Sequence, residues 1–380
     1  MSDPGFIEGA GPGGVATGLP GSQQAAPEPL SAEVFSSAAR AILDAVNGVI
    51  DGKQETARTA LMVLLAQGHL LLEDVPGVGK TMLAKTLARA IHGSVSRIQF
   101  TPDLLPSDVT GVSMYNQASG EFEFRPGPVF ANLVIGDEIN RASAKTQSAL
   151  LECMEESQVS VDGQVYPLGS PFMVLATQNP VEMEGTFPLP EAQRDRFMAR
   201  ISMGYPDRAA ELDMLEAHQG RSPLNDLRPV VDTALLRRMI ATVQAVHVAG
   251  PVKEYVVDLG QATRSHPDIV LGASPRALLH VLRAAKAHAA LAGQEFVLPD
   301  DVAVVAQDIL AHRLLLDRRA VLNGKDAASI LGGILERLPV DTAASREAAR
   351  RAASSAPAGS GGPSLSSAGF TPPGDQARVP

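Results

Sequence analysis

His69-Leu-Leu-Leu-Glu-Asp-Val-Pro-Gly-Val-Gly-Lys-Thr81 is the stretch that decides the fold. Its apolar run, Leu70 to Leu72, reads as a buried strand, and Pro76-Gly-Val-Gly79 reads as a turn. Met82 to Ala90 carries few helix breakers, so the order is strand, glycine loop, helix. That is the setting a phosphate-binding loop requires. Glycines let the backbone wrap so that several N–H groups converge, and the helix N-terminus adds partial positive charge at the same spot. The cradle runs through Asp74, Val75, Pro76, Gly77, Val78, Gly79, Lys80, Thr81 and Met82. Lys80 would reach the β- and γ-phosphates, and the Thr81 hydroxyl would hold Mg²⁺. The general pattern puts its first glycine at position 74, where this chain has Asp74.

Downstream, Leu133 to Ile135 read as a buried strand ending in two adjacent carboxylates, Asp137 and Glu138. Ligands of open parallel sheets bind outside the carboxyl ends of strands. An aspartate there can hold Mg²⁺ through water, and a glutamate beside it can act as general base on an attacking water. Phe172 to Thr177 read as another buried strand, and Asn179 just after it can hydrogen-bond a γ-phosphate or that water. The helix between them, Ser143 to Glu156, turns Ala149, Leu150 and Met154 to the sheet, with Cys153 as a small buried hydrophobe. Two excursions interrupt the sheet. Thr101 to Gly111 holds too many prolines for an element interior, and residues 112–128 then alternate as a hairpin. Gln158 to Leu168 is a second hairpin about an Asp162-Gly163 turn. A short helix, Glu191 to Phe197, and a last strand, Met198 to Met203, close the α/β region. Arg194, Arg196 and Arg200 in this stretch read most simply as a solvated face paired with Glu191 and Asp195.

Upstream, Val34, Ala38, Ile42, Ala45 and Val49 share one helix face, and a second helix runs from Gln54 to Gln67. After Pro206 the pattern becomes helices only, over 207–218, 232–247, 252–265, 275–292, 299–312 and 326–337. Asp232 and Ser274 are good N-caps, and Pro275 suits the first helical position. Arg276 then stands where the helix dipole disfavours a cation, which fits an arginine aimed at an anion.

Composition bounds the function. The 380 residues carry a net charge of −10, against the many phosphate contacts of sequence-independent nucleic-acid binding. Aromatic residues are 4% and tryptophan is absent, which leaves few stacking platforms for single strands. One cysteine excludes an intrachain disulfide. The eight histidines form no zinc-like pair. No apolar run is long enough to span a membrane and no signal peptide is evident, so the expectation is a cytoplasmic protein. Residues 1–30 and 341–380 read as disordered tails around an α/β core at 31–205, a linker with a helix at 206–228 and a helical domain at 229–340.

The combination resembles the MoxR family of AAA+ ATPases. The strings that carry the likeness are Leu71 to Thr81, Gln99 to Asp108, Gly127 to Asn132, Asp137-Glu-Ile-Asn-Arg141, Lys145 to Leu151, Ala176 to Pro180 and Gly272-Ala-Ser-Pro-Arg276, spread over roughly residues 31–340. Family members commonly carry the aspartate at 74. The resemblance implies a P-loop three-layer sandwich with a parallel sheet and a C-terminal all-α lid. It makes Lys80 and Thr81 Walker A, Asp137 the magnesium residue, Glu138 the catalytic base and Asn179 sensor 1. It makes Arg276 sensor 2, reaching the γ-phosphate from the lid, and Arg196 the arginine finger entering a neighbouring subunit's site, with Arg194 the other candidate. It implies ATP and Mg²⁺ as cofactors, a hexameric homo-oligomer, and both hairpins pointing into its channel. A separate von Willebrand factor A-domain protein is the implied partner, in maturation or metal insertion. A DNA-working motor of the same clade and a nucleotide-dependent scaffold with little turnover are the alternatives.

Overall fold

The computed structural model describes residues 27–338 except 51, 75–77, 180–186, 188, 206, 207 and 209–222. Val75, Pro76 and Gly77 of the loop, all but Arg208 of the helix read at 207–218 and most of both tails therefore lie outside the described residues.

The core is a five-stranded parallel sheet built from β1 (Leu70–Glu73), β2 (Val95–Gln99), β5 (Leu133–Asp137), β8 (Met173–Gln178) and β9 (Ala199–Ile201). Its spatial order is β2-β5-β8-β1-β9. β1 lies second from one edge, with Leu70 opposite Leu175 of β8 and Ala199 of β9. Successive strand residues face opposite layers. Leu70 and Leu72 pack with α1 (Ala32–Asn47), α2 (Gln54–Leu65) and α3 (Lys80–Ala90). Leu71 packs on the other face with Leu150 and Met154 of α5 (Ala144–Glu156). This is the three-layer sandwich. Two hairpins leave it, β3 (Gly111–Asn116) with β4 (Glu121–Pro126), and β6 (Gln158–Val161) with β7 (Gln164–Pro167). Phe124 of the first stacks on Tyr166 of the second with ring centroids 4.0 Å apart.

Several local expectations change. Pro106–Thr110 forms a short helix, α4, because proline at the first helical position costs no hydrogen bond and the Asp108 carboxylate accepts the Leu105 N–H at 2.9 Å. The buried stripe of α1 runs through Phe35, Ala38, Ala39, Ile42 and Val46, while Val34 is exposed. The larger aromatic side chain takes the core position. Residues 28–30, read as tail, are fastened to the C-terminal domain by Arg238 Nε on the Glu28 carbonyl (3.1 Å) and Leu30 N–H on Thr242 Oγ1 (2.8 Å). The last strand is shorter than read, and α6 spans Glu191–Arg194.

The C-terminal domain contains α7 (Pro223–Asp226), α8 (Thr233–Ala245), α9 (Gly250–Ser265), α10 (Pro275–Leu291), α11 (Pro299–Leu310), α12 (Arg318–Leu322) and α13 (Ala327–Arg337). It is not helical throughout: β10 (Ile269–Leu271) pairs with β11 (Leu315–Leu316). Ser274 caps α10 by accepting the Ala277 N–H at 3.0 Å, and Asp232 caps α8 by accepting the Leu235 N–H at 2.7 Å.

Candidate functional site

All five core strands are parallel, so their carboxyl ends share one edge of the sheet, where β1 delivers the loop and β5 and β8 deliver their terminal polar residues. Gly79 precedes α3 with φ +93°, a left-handed backbone that suits glycine. Lys80 Nζ donates to the Asp74 carbonyl at 2.6 Å. Burial lowers the Lys80 ammonium below its usual pKa, against the pull of Asp74, Asp137 and Glu138. Val78 and Thr81 are half-buried, and Met82 is exposed. Asp74 is buried, and its carboxylate accepts Ser202 Oγ at 2.9 Å and the Gly204 N–H at 2.6 Å. An aspartate in place of the glycine thus pins the start of the loop to the chain leaving β9.

Thr81 Oγ1 lies 3.4 Å from Asp137 Oδ2. Thr177 Oγ1 donates to Asp137 Oδ1 at 3.3 Å and accepts the Glu138 N–H at 3.0 Å. Glu138 has φ +57°, a left-handed conformation unusual for a residue with a side chain. The two acidic groups meet the protein's own donors. Arg97 Nε pairs with Asp137 Oδ2 at 2.6 Å. Gln99 Nε2 donates to Glu138 Oε2 at 2.9 Å, and Arg141 Nε lies 3.1 Å from the same oxygen. Asn179 is buried one residue beyond Gln178, whose carbonyl accepts the Asp74 N–H at 3.2 Å. The structure thus brings Asp74, Lys80, Thr81, Asp137, Glu138 and Asn179 to one edge.

Thr81 and Asp137 present hard oxygen donors 3.4 Å apart, the chemistry Mg²⁺ selects. Among the described residues no cluster of three or more His, Cys, Asp or Glu could cage a metal alone. A site of two protein oxygens fits Mg²⁺ completed by substrate phosphates and water.

Arg196 and Arg276 are elsewhere. Arg196 Nη2 pairs with Glu155 Oε2 at 3.2 Å, and Arg276 pairs with the other oxygen of the same carboxylate. Glu155 follows Met154, whose carbonyl accepts His69 Nε2–H at 2.9 Å, and His69 precedes β1. The arginine pair therefore lines a cavity of about 210 Å³ at the amino ends of the strands. The four residues of β1 put roughly 13 Å between that edge and the loop. The expectation that Arg276 reaches this chain's own γ-phosphate site is corrected accordingly. The cause is the path of the chain after β9. Ser202 and Gly204 touch the loop, yet Val230 and Val231 N–H groups donate to the Ala90 carbonyl at the far end of α3, at 2.9 and 3.2 Å. The lid is thereby docked on the edge opposite the loop. Arg194 pairs with Glu191 at 3.6 Å and Arg200 with Glu73 at 2.8 Å, whereas Asp195, read as their partner, takes Arg313 instead.

Residues 69–199 match the family described as "ATPase family associated with various cellular activities (AAA)", and residues 261–333 match the AAA lid domain. Chaperone MoxR1 of Mycobacterium tuberculosis is 42% identical over 347 residues, 86% of this chain and 90% of the relative. The chain belongs to the MoxR family of AAA+ ATPases. YeaC, an uncharacterized protein of Bacillus subtilis, is 50% identical over 79% of this chain and 95% of its own length. Protein MoxR of Paracoccus denitrificans is 34% identical over 72% and 87%. The crystal structure of a candidate ATPase from Cytophaga hutchinsonii aligns with TM-score 0.77 and 40% identity, covering 81% of this chain and 96% of that one.

Within this MoxR-family site, Thr177, Arg97, Gln99 and Arg141 are residues that sequence reasoning missed. Gln99, Arg141 and Thr177 lie in strings that carry the family likeness, but their roles depend on the fold: Gln99, for one, stands opposite Asp137 across β2 and β5. Cys153 is buried, as read, and burial pushes its thiol up to about 12.

Proposed function

We propose that this chain hydrolyses ATP to ADP and phosphate at the contacts between subunits of a homo-oligomeric ring, a hexamer, in the cytoplasm. The ATPase cycle remodels or matures a separate partner, a von Willebrand factor A-domain protein or its client, with metal insertion as one outcome. One observation carries the reading: Lys80, Thr81, Asp137, Glu138 and Asn179 gather on one edge, while Arg196 and Arg276 gather on the other. A chain built this way holds an acceptor half-site and a donor half-site facing opposite directions, so a complete site needs two subunits.

Bound ATP with Mg²⁺ supplies the phosphoanhydride to be cleaved and a divalent charge beside it. Lys80 neutralises phosphate charge once it leaves the Asp74 carbonyl. Thr81 and Asp137 would supply the protein oxygens that hold the ion. Glu138, released by Gln99 and Arg141, accepts the proton of the attacking water. Asn179 orients that water. Arg196 and Arg276 of the adjoining subunit leave Glu155 for the phosphate, where a trans arginine is worth on the order of 10³-fold or more in rate. Both guanidinium groups already bind a carboxylate, so the exchange is one anion for another. The chaperone role rests on relatives named Chaperone MoxR1 and Protein MoxR.

Comparing ATP turnover by the native protein and Glu138→Gln tests the reading. Turnover should fall at least 10²-fold while nucleotide binding persists, and turnover per subunit of the native protein should rise with protein concentration as rings assemble. Equal rates for the two proteins would refute hydrolysis at this site.

A further inference from the structure

Asp195 is linked to both arginines of the donor edge, to Arg196 along the chain and to the helix that carries Arg276 through Ser274. It precedes Arg196 directly. Its two carboxylate oxygens each accept Ser274 Oγ at 3.1 Å. Ser274 is the N-cap of α10, two residues before Arg276. From the lid, Arg313 Nε pairs with Asp195 Oδ1 at 2.8 Å, and the guanidinium also donates to the carbonyls of Asp195 (3.0 Å), Phe197 (2.5 Å) and Met198 (3.1 Å). Those three carbonyls bracket Arg196. Arg313 has a side chain only 3% exposed and Asp195 one 20% exposed, so the ion pair between core and lid is buried on the lid side and half-buried on the core side. Such a pair is weak as glue, because desolvating both charges offsets most of their attraction, and a well-packed apolar contact holds two bodies together at least as well. Directional, multidentate bonding does something apolar contact does not: it fixes one register. Here the register is that of Arg196 on the core against Arg276 on the lid.

We propose that Asp195 is a positioning residue for hydrolysis in the neighbouring subunit: bonded to Ser274 and Arg313, it locks the core arginine Arg196 and the lid arginine Arg276 into one two-pronged anion clamp. The proposal rests on the reading that these arginines act in trans. Motion of the lid relative to the core then moves Arg276 against Arg196 only if the Asp195 junction opens, so the clamp engages or disengages as a unit.

The test uses full-length Asp195→Asn, Ser274→Ala and Ser274→Thr proteins, with Arg196→Ala as reference. Turnover, KM for ATP, fluorescent ADP binding and thermal midpoint are measured on each. Each variant is then mixed with Glu138→Gln subunits, which keep their arginines but do not hydrolyse. Asp195→Asn should lower kcat at least tenfold with KM and ADP affinity within twofold. Ser274→Ala should lower kcat by a smaller factor, and Ser274→Thr should restore it. Mixing Asp195→Asn with Glu138→Gln should raise turnover above the sum of the separate proteins, because the added subunits lend intact clamps to competent sites. A purely structural junction would lower the thermal midpoint without recovery on mixing. Native kcat in both Asp195→Asn and Ser274→Ala overturns the proposal, as does a loss in Asp195→Asn that mixing fails to recover while the loss in Arg196→Ala is recovered. Failure of Arg196→Ala itself to recover on mixing identifies the trans reading as the step that is wrong and takes the proposal down with it.

Discussion

Lowering the pH from 7 to 5 should strip this protein of a large part of its stability, through histidines buried in the neutral form. His69 donates from Nε2 to the Met154 carbonyl at 2.9 Å and accepts the Val174 N–H on Nδ1 at 3.0 Å. A second proton would point N–H at N–H. Burial accordingly lowers His69 to about 4. His280 accepts Arg313 Nη2 on Nδ1 at 2.7 Å, and burial followed by the adjacent guanidinium lowers it to about 3. His312, buried and donating to the Phe197 carbonyl, is lowered in the same direction. All three folded values lie below the unfolded 6.5, so the unfolded chain takes up protons first. The stabilisation is complete above pH 6.5 and is lost as the pH falls from there toward the folded values. Between pH 7 and 5 the linkage amounts to about 2 kcal/mol each for His69 and His280, about 4 kcal/mol together. Against a typical stability of about 5–15 kcal/mol, that is a large share. Urea unfolding at 25 °C and both pH values measures it. In a His69→Gln, His280→Gln double variant the amides can keep the donor and acceptor roles without titrating, so most of the pH dependence should vanish. A wild-type difference below about 1 kcal/mol, or an undiminished difference in the double variant, would refute the reasoning.

Arg97 holds the Asp137 oxygen that faces Thr81, so Arg97→Ala should lower the Mg²⁺ concentration needed for half-maximal binding of a fluorescent ATP analogue by about threefold or more; an unchanged Mg²⁺ titration would show that Arg97 does not compete for that oxygen. Asp74→Ala removes two charge-assisted hydrogen bonds to one carboxylate oxygen, each worth about 1.5–3 kcal/mol, and frees the start of the loop. Its dissociation constant for ATP should rise tenfold or more, with Asp74→Asn falling between it and the native protein in the same binding assay.

The three central strands β5, β8 and β1 were legible in the sequence because they are short apolar runs ending in polar residues, and such runs declare burial without tertiary information. Lys80, Thr81, Asp137, Glu138 and Asn179 converge for the same reason: Asp137 ends β5 and Glu138 follows it, Asn179 follows β8, and Lys80 and Thr81 follow β1 across the loop. The arginines were legible as residues but not as places. Nothing near Arg276 states which edge its domain will dock on; that is settled by the return of the chain to Ala90, a long-range contact. Arg313 closes a short 3-10 turn, Ala311-His-Arg313, ordinary in sequence, and only tertiary packing makes it a buried cation at the domain junction. The α1 stripe failed more locally, since Val34 and Phe35 are adjacent apolar residues and the neighbouring helices choose between them.

Subunit mixing with Arg276→Ala tests the central claim, a site completed across two subunits, most directly. Arg276→Ala and Glu138→Gln proteins should each turn over ATP slowly alone, and the mixture should exceed the sum of the two, since each Glu138→Gln neighbour lends Arg276 to an intact Glu138 site. A mixture no faster than its separate components would place Arg276 in its own subunit's site and contradict the account.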